Sequence, residues 1–320
     1  MEKVLFLGLN HSDIKLVHSS ASRLKVGFCF EENIPAKFSP EVEVICLRYK
    51  ISLKRQKIDL FPNLKMICAM STGMDNIDLG YCSNRGIKVV NLPAYGSCTV
   101  AEYAFALALT LSKKIIQSRV KQPGSKDYTT IQGIDLFGKK VAILGTGKIG
   151  THIARIANGF GMQIFGFDKF LNEDLTIKYG LVYKNLEELI GLGDFIFLSL
   201  PLNEESYHLI DQRILLNIRK DAFIINIGRG ELIDTYALLN SLIEGRVAGA
   251  ALDVLEEEKS IFATTEVENK EIYALNRKLL KLENVIITPH NAFNTVESVG
   301  RIIRNTVESV SQFYDQSKKT

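Results

Sequence analysis

The sequence of 320 residues predicts an α/β protein with two doubly wound parallel sheets. Short runs of Val, Ile, Leu and Phe alternate with helix-like segments, and these runs fall into two series separated by a long helical segment. The runs are continuously apolar, which is typical of parallel strands buried on both faces. A prior of about 150 residues per domain agrees with two such units.

The apolar runs predict ten strands in chain order. They are 4–9, 42–47, 65–69 and 87–91 in the first series, and 141–144, 163–167, 195–200, 223–227, 248–252 and 285–288 in the second. A long helix is predicted over 99–122, because Glu102 lies early and basic residues lie late, which suits the helix dipole. A domain boundary is predicted in the loop 124–138 after it, and a last helix over 295–315.

Composition and charge exclude several classes of protein. Hydrophobic residues make up 46% and charged residues 23%, as in an ordinary globular protein. A net charge of +3 is too small to indicate nucleic acid or an anionic membrane as a partner. The first apolar run is too short for a signal peptide. The number of cysteines is odd and none are paired at two-residue spacing, which predicts reduced thiols and a cytoplasmic location. No group of Cys and His residues has the spacing of metal ligands, so no metal is expected. The cysteines are Cys29, Cys46, Cys68, Cys82 and Cys98.

A glycine-rich segment follows the first strand of the second series and leads into a helix. Its residues are Gly145, Thr146, Gly147, Lys148, Ile149 and Gly150. Strand, G-x-G-x-x-G and helix form the Rossmann fingerprint for dinucleotides, whose phosphates bind at the helix N-terminus. A bare glycine turn without a ligand is the alternative. Asp168, at the end of the next strand, favours NAD, because a carboxylate binds ribose hydroxyls and repels a 2′-phosphate.

Three later strands end in polar groups. Arg229 follows 223–227, Asp253 and the acidic residues 256–258 follow 248–252, and His290 follows 285–288. Carboxyl ends of parallel strands face the ligand crevice, so these groups are expected to converge. During hydride transfer to a ketone, negative charge develops on the ketone oxygen, and an imidazolium can protonate it. A carboxylate next to the imidazole favours this charged form. A guanidinium can bind a 2-oxo acid through two hydrogen bonds in a planar fork. Singly, each could be a solvated loop, a solvated face or a structural histidine.

Together the motifs resemble the NAD-dependent D-isomer-specific 2-hydroxyacid dehydrogenases over nearly the whole chain. The matching segments are 73–78, 100–103, 145–150, 226–230, 251–254 and 288–292. The resemblance implies a Rossmann NAD-binding domain over 99–295 and a flavodoxin-like substrate domain over 1–98 with 296–320. It also implies a homodimer that closes around its ligands.

The same resemblance implies roles for individual residues. Arg229 matches the substrate-binding arginine, His290 the acid/base, and Glu258, five residues after Asp253, its carboxylate partner. Asp253 is placed at the cofactor. Backbone N–H groups of Ser71, Thr72 and Gly73 match the grip on the substrate carboxylate, and Tyr95 matches a pocket tyrosine of the lactate group.

The substrate is predicted less directly. The second half is similar to D-lactate dehydrogenases, because no Glu-Pro follows the acidic segment and a long stretch, 259–283, precedes the last strand. Residues 47–50 (Leu-Arg-Tyr-Lys), with residues 62–65 (Pro-Asn-Leu-Lys), are more similar to the phosphoglycerate branch. The predicted reaction is therefore reduction of a small 2-oxo acid to the D-2-hydroxy acid, with a phosphoglycerate- or glycerate-type dehydrogenase as the alternative.

Two other classes of function share part of this pattern. The family also resembles NAD-sensing corepressors that keep the same Arg, Glu and His, but these usually carry longer tails. Methyl transfer from S-adenosylmethionine leaves the Arg, Glu and His unexplained. The remaining histidines, His11, His18, His152 and His208, are expected to be structural or on the surface, because none has a partner carboxylate at a telling position in the sequence.

Overall fold

The computed structural model describes residues 3–21, 26–29, 41–48, 51–120, 129–262 and 267–317. Its strands are β1 (Val4–Leu7), β2 (Val26–Cys29), β3 (Val44–Leu47), β4 (Met66–Ala69), β5 (Lys88–Val90), β6 (Lys140–Leu144), β7 (Gln163–Phe167), β8 (Val182–Tyr183), β9 (Phe195–Leu198), β10 (Phe223–Asn226), β11 (Gly249–Leu252) and β12 (Val285–Ile287). Its α-helices are α1 (His11–Ser20), α2 (Arg55–Ile58), α3 (Leu79–Asn84), α4 (Ser97–Ser112), α5 (Ile115–Val120), α6 (Lys148–Gly159), α7 (Glu173–Tyr179), α8 (Leu186–Leu192), α9 (Gln212–Leu215), α10 (Thr235–Ile243), α11 (Glu258–Phe262), α12 (Lys270–Leu279) and α13 (Val296–Ser317).

The chain divides into two compact units, Met1–Gly96 with Asn294–Thr320, and Ser97–Phe293. The first unit has a parallel sheet in the order β2-β1-β3-β4-β5. Helix α13 packs on α1 and β4 of this unit through an apolar stripe that includes Ile302, Ile303 and Val310. The second unit has a parallel sheet in the order β12-β11-β10-β9-β6-β7-β8. Two doubly wound α/β units confirm the predicted fold class.

The second sheet is buried on both faces. Ala142, Leu144 and Ile196 point into one apolar cluster, while Val141 and Phe197 point into the cluster on the other face. Because alternate residues of a strand face opposite sides, both sets must be apolar, which explains the continuous runs. The strand order reverses between β6 and β9, so their carboxyl ends flank the crevice in which ligands of such sheets bind.

Helix α4 belongs to the second unit, so the boundary predicted in 124–138 is wrong. Ala101, Ala104 and Ala108 are fully buried, and their small side chains let α4 lie close to α6 and to the strands beneath it. Phe105 stacks on Phe197 with ring centroids 5.0 Å apart. The packing surface of this helix therefore joins it to the nucleotide-type sheet.

The single helix predicted over 99–122 is two helices, and its last two residues lie outside the described ranges. Lys114 has φ +49°, which ends α4. The carbonyl of Ser112 accepts a hydrogen bond from Ile134 N at 2.9 Å, and a Cβ on Gly133 would lie 2.4 Å from that carbonyl. The segment at Gly133 therefore lies against the end of α4, which only glycine permits, and the helix is interrupted at this point.

Two short strands, β2 and β8, were missed by the apolar pattern. The first contains Gly27, and the second has only two residues at the edge of its sheet. Of the helices in the described ranges, none is long and apolar enough to cross a membrane.

Candidate active site

The glycine loop joins β6 to α6. Gly145 has φ +96°, and a Cβ there would lie 2.9 Å from the backbone of Ser199 and Leu200. A Cβ on Gly150 would lie 2.0 Å from the carbonyl oxygen of Gly145. A Cβ on Gly147 would meet nothing within 4 Å, and this residue is the N-cap of α6 without a capping side chain. The N–H groups of the first turn are therefore left for an anion.

Asp168 follows β7 and lines a cavity of about 610 Å³ beside the loop. Its Oδ2 accepts hydrogen bonds from N (2.6 Å) and Oγ1 (3.2 Å) of Thr146, and its Oδ1 accepts one from Phe170 N at 3.1 Å. The neighbouring Lys169 pairs with Glu205 at 3.1 Å. Among the described residues that line this cavity, Asp168, Glu173 and Asp174 are charged and none is Lys or Arg. An anion cradle with a carboxylate beside it fits a dinucleotide that carries a free ribose 2′-hydroxyl.

Arg229 lies in a turn after β10 that the buried Asn226 holds. Asn226 donates from Nδ2 to the carbonyl of Arg229 at 2.8 Å and accepts from Gly228 N at 3.1 Å. A Cβ on Gly230 would lie 1.9 Å from the carbonyl carbon of Leu255, so only glycine fits. The turn that carries Arg229 thus packs directly on the segment after β11.

His290 and Glu258 are hydrogen-bonded. The distance between His290 Nδ1 and Glu258 Oε1 is 2.8 Å, and each side chain is 23% exposed. Glu258 begins α11, and His290 follows β12 with φ +53°. The pair is an imidazole backed by a carboxylate at the carboxyl edge of the sheet, as general acid–base chemistry requires.

Asp253, 1% exposed, holds the His290 segment. Its Oδ1 accepts hydrogen bonds from Thr288 Oγ1 (2.6 Å) and Asn291 N (2.8 Å), and its Oδ2 accepts one from Ala292 N (2.9 Å). Its carbonyl accepts one from His290 N at 2.8 Å. The resemblance places Asp253 at the cofactor, whereas these contacts all belong to the loop that carries His290.

A second imidazole–carboxylate pair was missed by the sequence analysis. His208 Nε2 lies 2.8 Å from Glu256 Oε1, so the expectation that His208 has no carboxylate partner is wrong. Glu256 is buried, and therefore does not belong to a solvated acidic face. Burial raises the pKa of the nearby Glu231 carboxyl, and the anionic Glu256 and Glu258 raise it further. Positive φ at His208 indicates local backbone strain, as at His290. No short-range sequence signal links His208 to Glu256.

The residues matched to the substrate carboxylate lie in the other unit, after β4. Ser71 Oγ donates to the carbonyl of Gly73 at 2.7 Å, and Asn91 Nδ2 donates to the carbonyl of Thr72 at 2.6 Å. Within the described ranges, the N–H groups of Ser71, Thr72 and Gly73 donate to no protein acceptor. The loop is thus fixed through its carbonyls while its donors stay available. The carbonyl of Tyr95 accepts a hydrogen bond from Arg301 Nε at 2.6 Å.

The Rossmann loop, the acidic residue beside its cavity and the His–Glu pair at the same sheet edge define an NAD-dependent oxidoreductase. The family described as "D-isomer specific 2-hydroxyacid dehydrogenase, NAD binding domain" matches residues 105–292. The chain belongs to the D-isomer-specific 2-hydroxyacid dehydrogenase family, which confirms the resemblance, the enzyme class and the NAD cofactor inferred from the sequence.

Relatives extend this similarity beyond the NAD-binding domain. The chain is 34% identical to glyoxylate reductase of Korarchaeum cryptofilum, over 86% of this chain and 83% of the relative. It is 34% identical to hydroxypyruvate reductase of Thermotoga maritima, over 86% and 85%. D-lactate dehydrogenase from Aquifex aeolicus, solved with NAD and lactic acid, has a TM-score of 0.88 and 32% identity, covering 99% of this chain and 96% of that one.

Proposed function

We propose that the protein reduces a small, unphosphorylated 2-oxo acid to the D-2-hydroxy acid. The observation that carries this proposal is the hydrogen bond between His290 Nδ1 and Glu258 Oε1, in the unit that contains the dinucleotide loop. When bound, NADH supplies the hydride for the carbonyl carbon. The protein must then bind the acid, orient it and deliver a proton to its oxygen.

His290 is the proposed proton donor. Its Nδ1 is bonded to Glu258, so transfer to the ketone oxygen is assigned to Nε2. The hydrogen bond to Glu258 fixes the orientation of the imidazole ring. Arg229 is the proposed grip on the 2-oxo acid, because its planar fork can bond a carboxylate oxygen and the carbonyl oxygen together. The N–H groups of residues 71–73 are proposed for the remaining carboxylate contacts.

Arg48 supports a substrate without a phosphate. It follows β3 and is the basic residue of segment 47–50 that the structure describes, since Tyr49 and Lys50 lie outside the described ranges. Its Nη2 lies 2.6 Å from Asp13 Oδ2, and the two side chains are 12% and 6% exposed. A guanidinium neutralised in this way is a poor phosphate site. Relatives named glyoxylate reductase, hydroxypyruvate reductase and D-lactate dehydrogenase support a small acid, whereas a relative named D-3-phosphoglycerate dehydrogenase supports the phosphorylated alternative.

The test is NADH oxidation with glyoxylate, pyruvate, hydroxypyruvate and 3-phosphohydroxypyruvate, with the product configuration determined by chiral chromatography. We expect reduction of the unphosphorylated acids to D-products. A preference for the phosphorylated acid would support the phosphoglycerate-type alternative. NADH binding without reduction of any acid would support the regulatory alternative.

Two variants test the assigned roles. His290→Ala is expected to lose about 10²–10⁴-fold in rate, the usual contribution of a positioned acid, while NADH binding is retained. Glu258→Gln keeps an oxygen acceptor for Nδ1 of His290 but loses the charge-assisted hydrogen bond that orients the ring. Its kcat should therefore fall by about tenfold while NADH affinity is retained. An unchanged kcat would remove Glu258 from this role.

A further inference from the structure

The carboxylate of Glu256 makes three hydrogen bonds inside the protein. Oε1 meets His208 Nε2 at 2.8 Å, and Oε2 accepts from both the backbone N–H (3.1 Å) and the hydroxyl of Thr235. Thr235 begins α10, so the carboxylate also lies at a helix N-terminus. A buried carboxylate persists only with such partners, and their number shows that its position is tightly fixed.

The backbone around Glu256 is fixed as well. The carbonyl of Glu256 accepts a hydrogen bond from Asn276 Nδ2 at 2.7 Å, and Asn276 is fully buried. One residue earlier, Leu255 contacts Gly230 so closely that no side chain fits between them. Segment 255–256 is therefore held through a side chain, a carbonyl and direct backbone contact.

Glu258 follows this anchor after one residue. Glu257 has φ +54°, a left-handed conformation that turns the chain, and α11 begins at Glu258. Because a single turned residue separates the anchor from Glu258, the direction of the Glu258 side chain depends on where Glu256 is held.

His208 is held at its backbone and at its ring. The backbone N–H donates to the carbonyl of Glu231 at 2.8 Å, and the ring stacks on Tyr207 with centroids 4.1 Å apart. Glu231 lies two residues after Arg229, in the 3-10 turn at the end of β10. His208 thus ties the loop after β9 to the loop after β10 and, through Glu256, to the loop after β11.

We propose that His208 and Glu256 are positioning residues that hold Glu258 in line with Nδ1 of His290. This inference rests on the proposed function, in which the His290–Glu258 pair delivers the proton. Neither residue of the second pair needs to touch the substrate. Its effect passes through the segment that ends at Glu258.

The experiment compares Glu256→Ala with Glu257→Ala in the full-length protein. Both variants remove one carboxylate from adjacent positions, but only the first removes the anchor. The first readout is the hydrogen-bonded Nδ1 proton of His290, observed by ¹⁵N-edited NMR without substrate and assigned by its loss in His290→Ala. The second is kcat for the best 2-oxo acid, with NADH affinity measured in parallel.

In Glu256→Ala, we expect the His290 resonance to move or broaden and kcat to fall about 10²-fold, the effect of misplacing a catalytic group by about 1 Å. NADH affinity should be unchanged, and Glu257→Ala should keep both the resonance and the rate. An active enzyme in which the two variants behave alike would overturn the proposal. If the resonance responds as expected but no 2-oxo acid is reduced, the proposed function fails while the positioning role stands.

If Glu256→Ala does not fold, a second pair of variants tests the positioning role of His208 and Glu256. His208→Ala removes the donor to Glu256, whereas His208→Gln returns an N–H near the position of Nε2. His208→Ala should show both losses, and His208→Gln should recover the resonance and most of the rate. The proposal would be overturned if His208→Ala kept the His290 resonance and the rate, or if His208→Gln failed to restore them.

Discussion

Replacing Asp253 with Asn tests how far the His290 segment depends on one buried carboxylate. An amide can keep its oxygen at the position of Oδ1, which accepts from Thr288 and Asn291. In the unaltered protein, the N–H of Ala292 donates to Oδ2 of Asp253 at 2.9 Å. In the variant, the NH₂ group of Asn takes the place of Oδ2 and faces this N–H. The charge-assisted hydrogen bond from Ala292 N is lost, which leaves this buried N–H without an acceptor. The change costs about 2–3 kcal/mol.

Part of this free energy is expected to appear as a displaced His290 loop. A shift of about 1 Å in a catalytic group costs about 10²-fold in rate, so kcat for a 2-oxo acid should fall by about that factor. The assays are steady-state NADH oxidation, NADH binding by fluorescence and thermal unfolding. NADH affinity should change little, because the observed contacts of Asp253 lie within the protein.

Asp194→Asn is the matched control. Asp194 is also buried in the second unit, where its Oδ2 accepts a hydrogen bond from Lys140 N at 2.8 Å. It precedes β9 and lies at the opposite edge of the sheet, so this variant should lose stability and keep kcat. If Asp253→Asn keeps kcat and weakens NADH binding instead, Asp253 acts on the cofactor, as the resemblance implies, and the reasoning from its loop contacts is refuted.

Three further outcomes are expected. Asp168→Ala should weaken NADH binding by about tenfold or more and relax discrimination against NADPH, because the expected charge-assisted bond to the ribose is lost. Equal use of NADH and NADPH by the unaltered protein would contradict this role of Asp168. Arg229→Lys keeps the charge but loses the planar fork, so kcat/KM should fall about 10–10²-fold for each charge-assisted bond lost, with NADH affinity retained; the reverse pattern would exchange the roles. The hydrogen bond from the Cys98 thiol to Glu102, with some burial, raises the pKa of Cys98. A raised pKa leaves less thiolate near neutral pH, so alkylation should be slower than for a free cysteine and faster in Glu102→Gln; equal rates in both proteins would contradict this cause.

The strands and the dinucleotide loop could be predicted because their physics is local. Doubly buried strands need continuous apolar runs, as in β9 and β10, and the loop needs glycine where Gly145 and Gly150 meet backbone. The proximity of Glu258 and His290 follows from parallel geometry, since they follow the neighbouring strands β11 and β12. Their chemistry stays a prediction.

Other features depend on contacts between distant segments. His208 and Glu256 are 48 residues apart, and they meet because the loops after β9, β10 and β11 share one edge. The break after α4 depends on Gly133, which lies well outside the helix. The helix propensities of the residues in α4 do not indicate that Gly133 packs against the end of the helix.

The contact at Gly230 has a consequence for redesigning this enzyme. Because backbone touches backbone there, the proposed substrate arginine and the segment leading to Glu258 share a spacing that no side-chain substitution can widen in small steps. This contact therefore fixes the distance between the turn that carries Arg229 and the segment 255–258. Libraries intended to change acid preference should therefore leave positions 229–230 and 255–258 untouched.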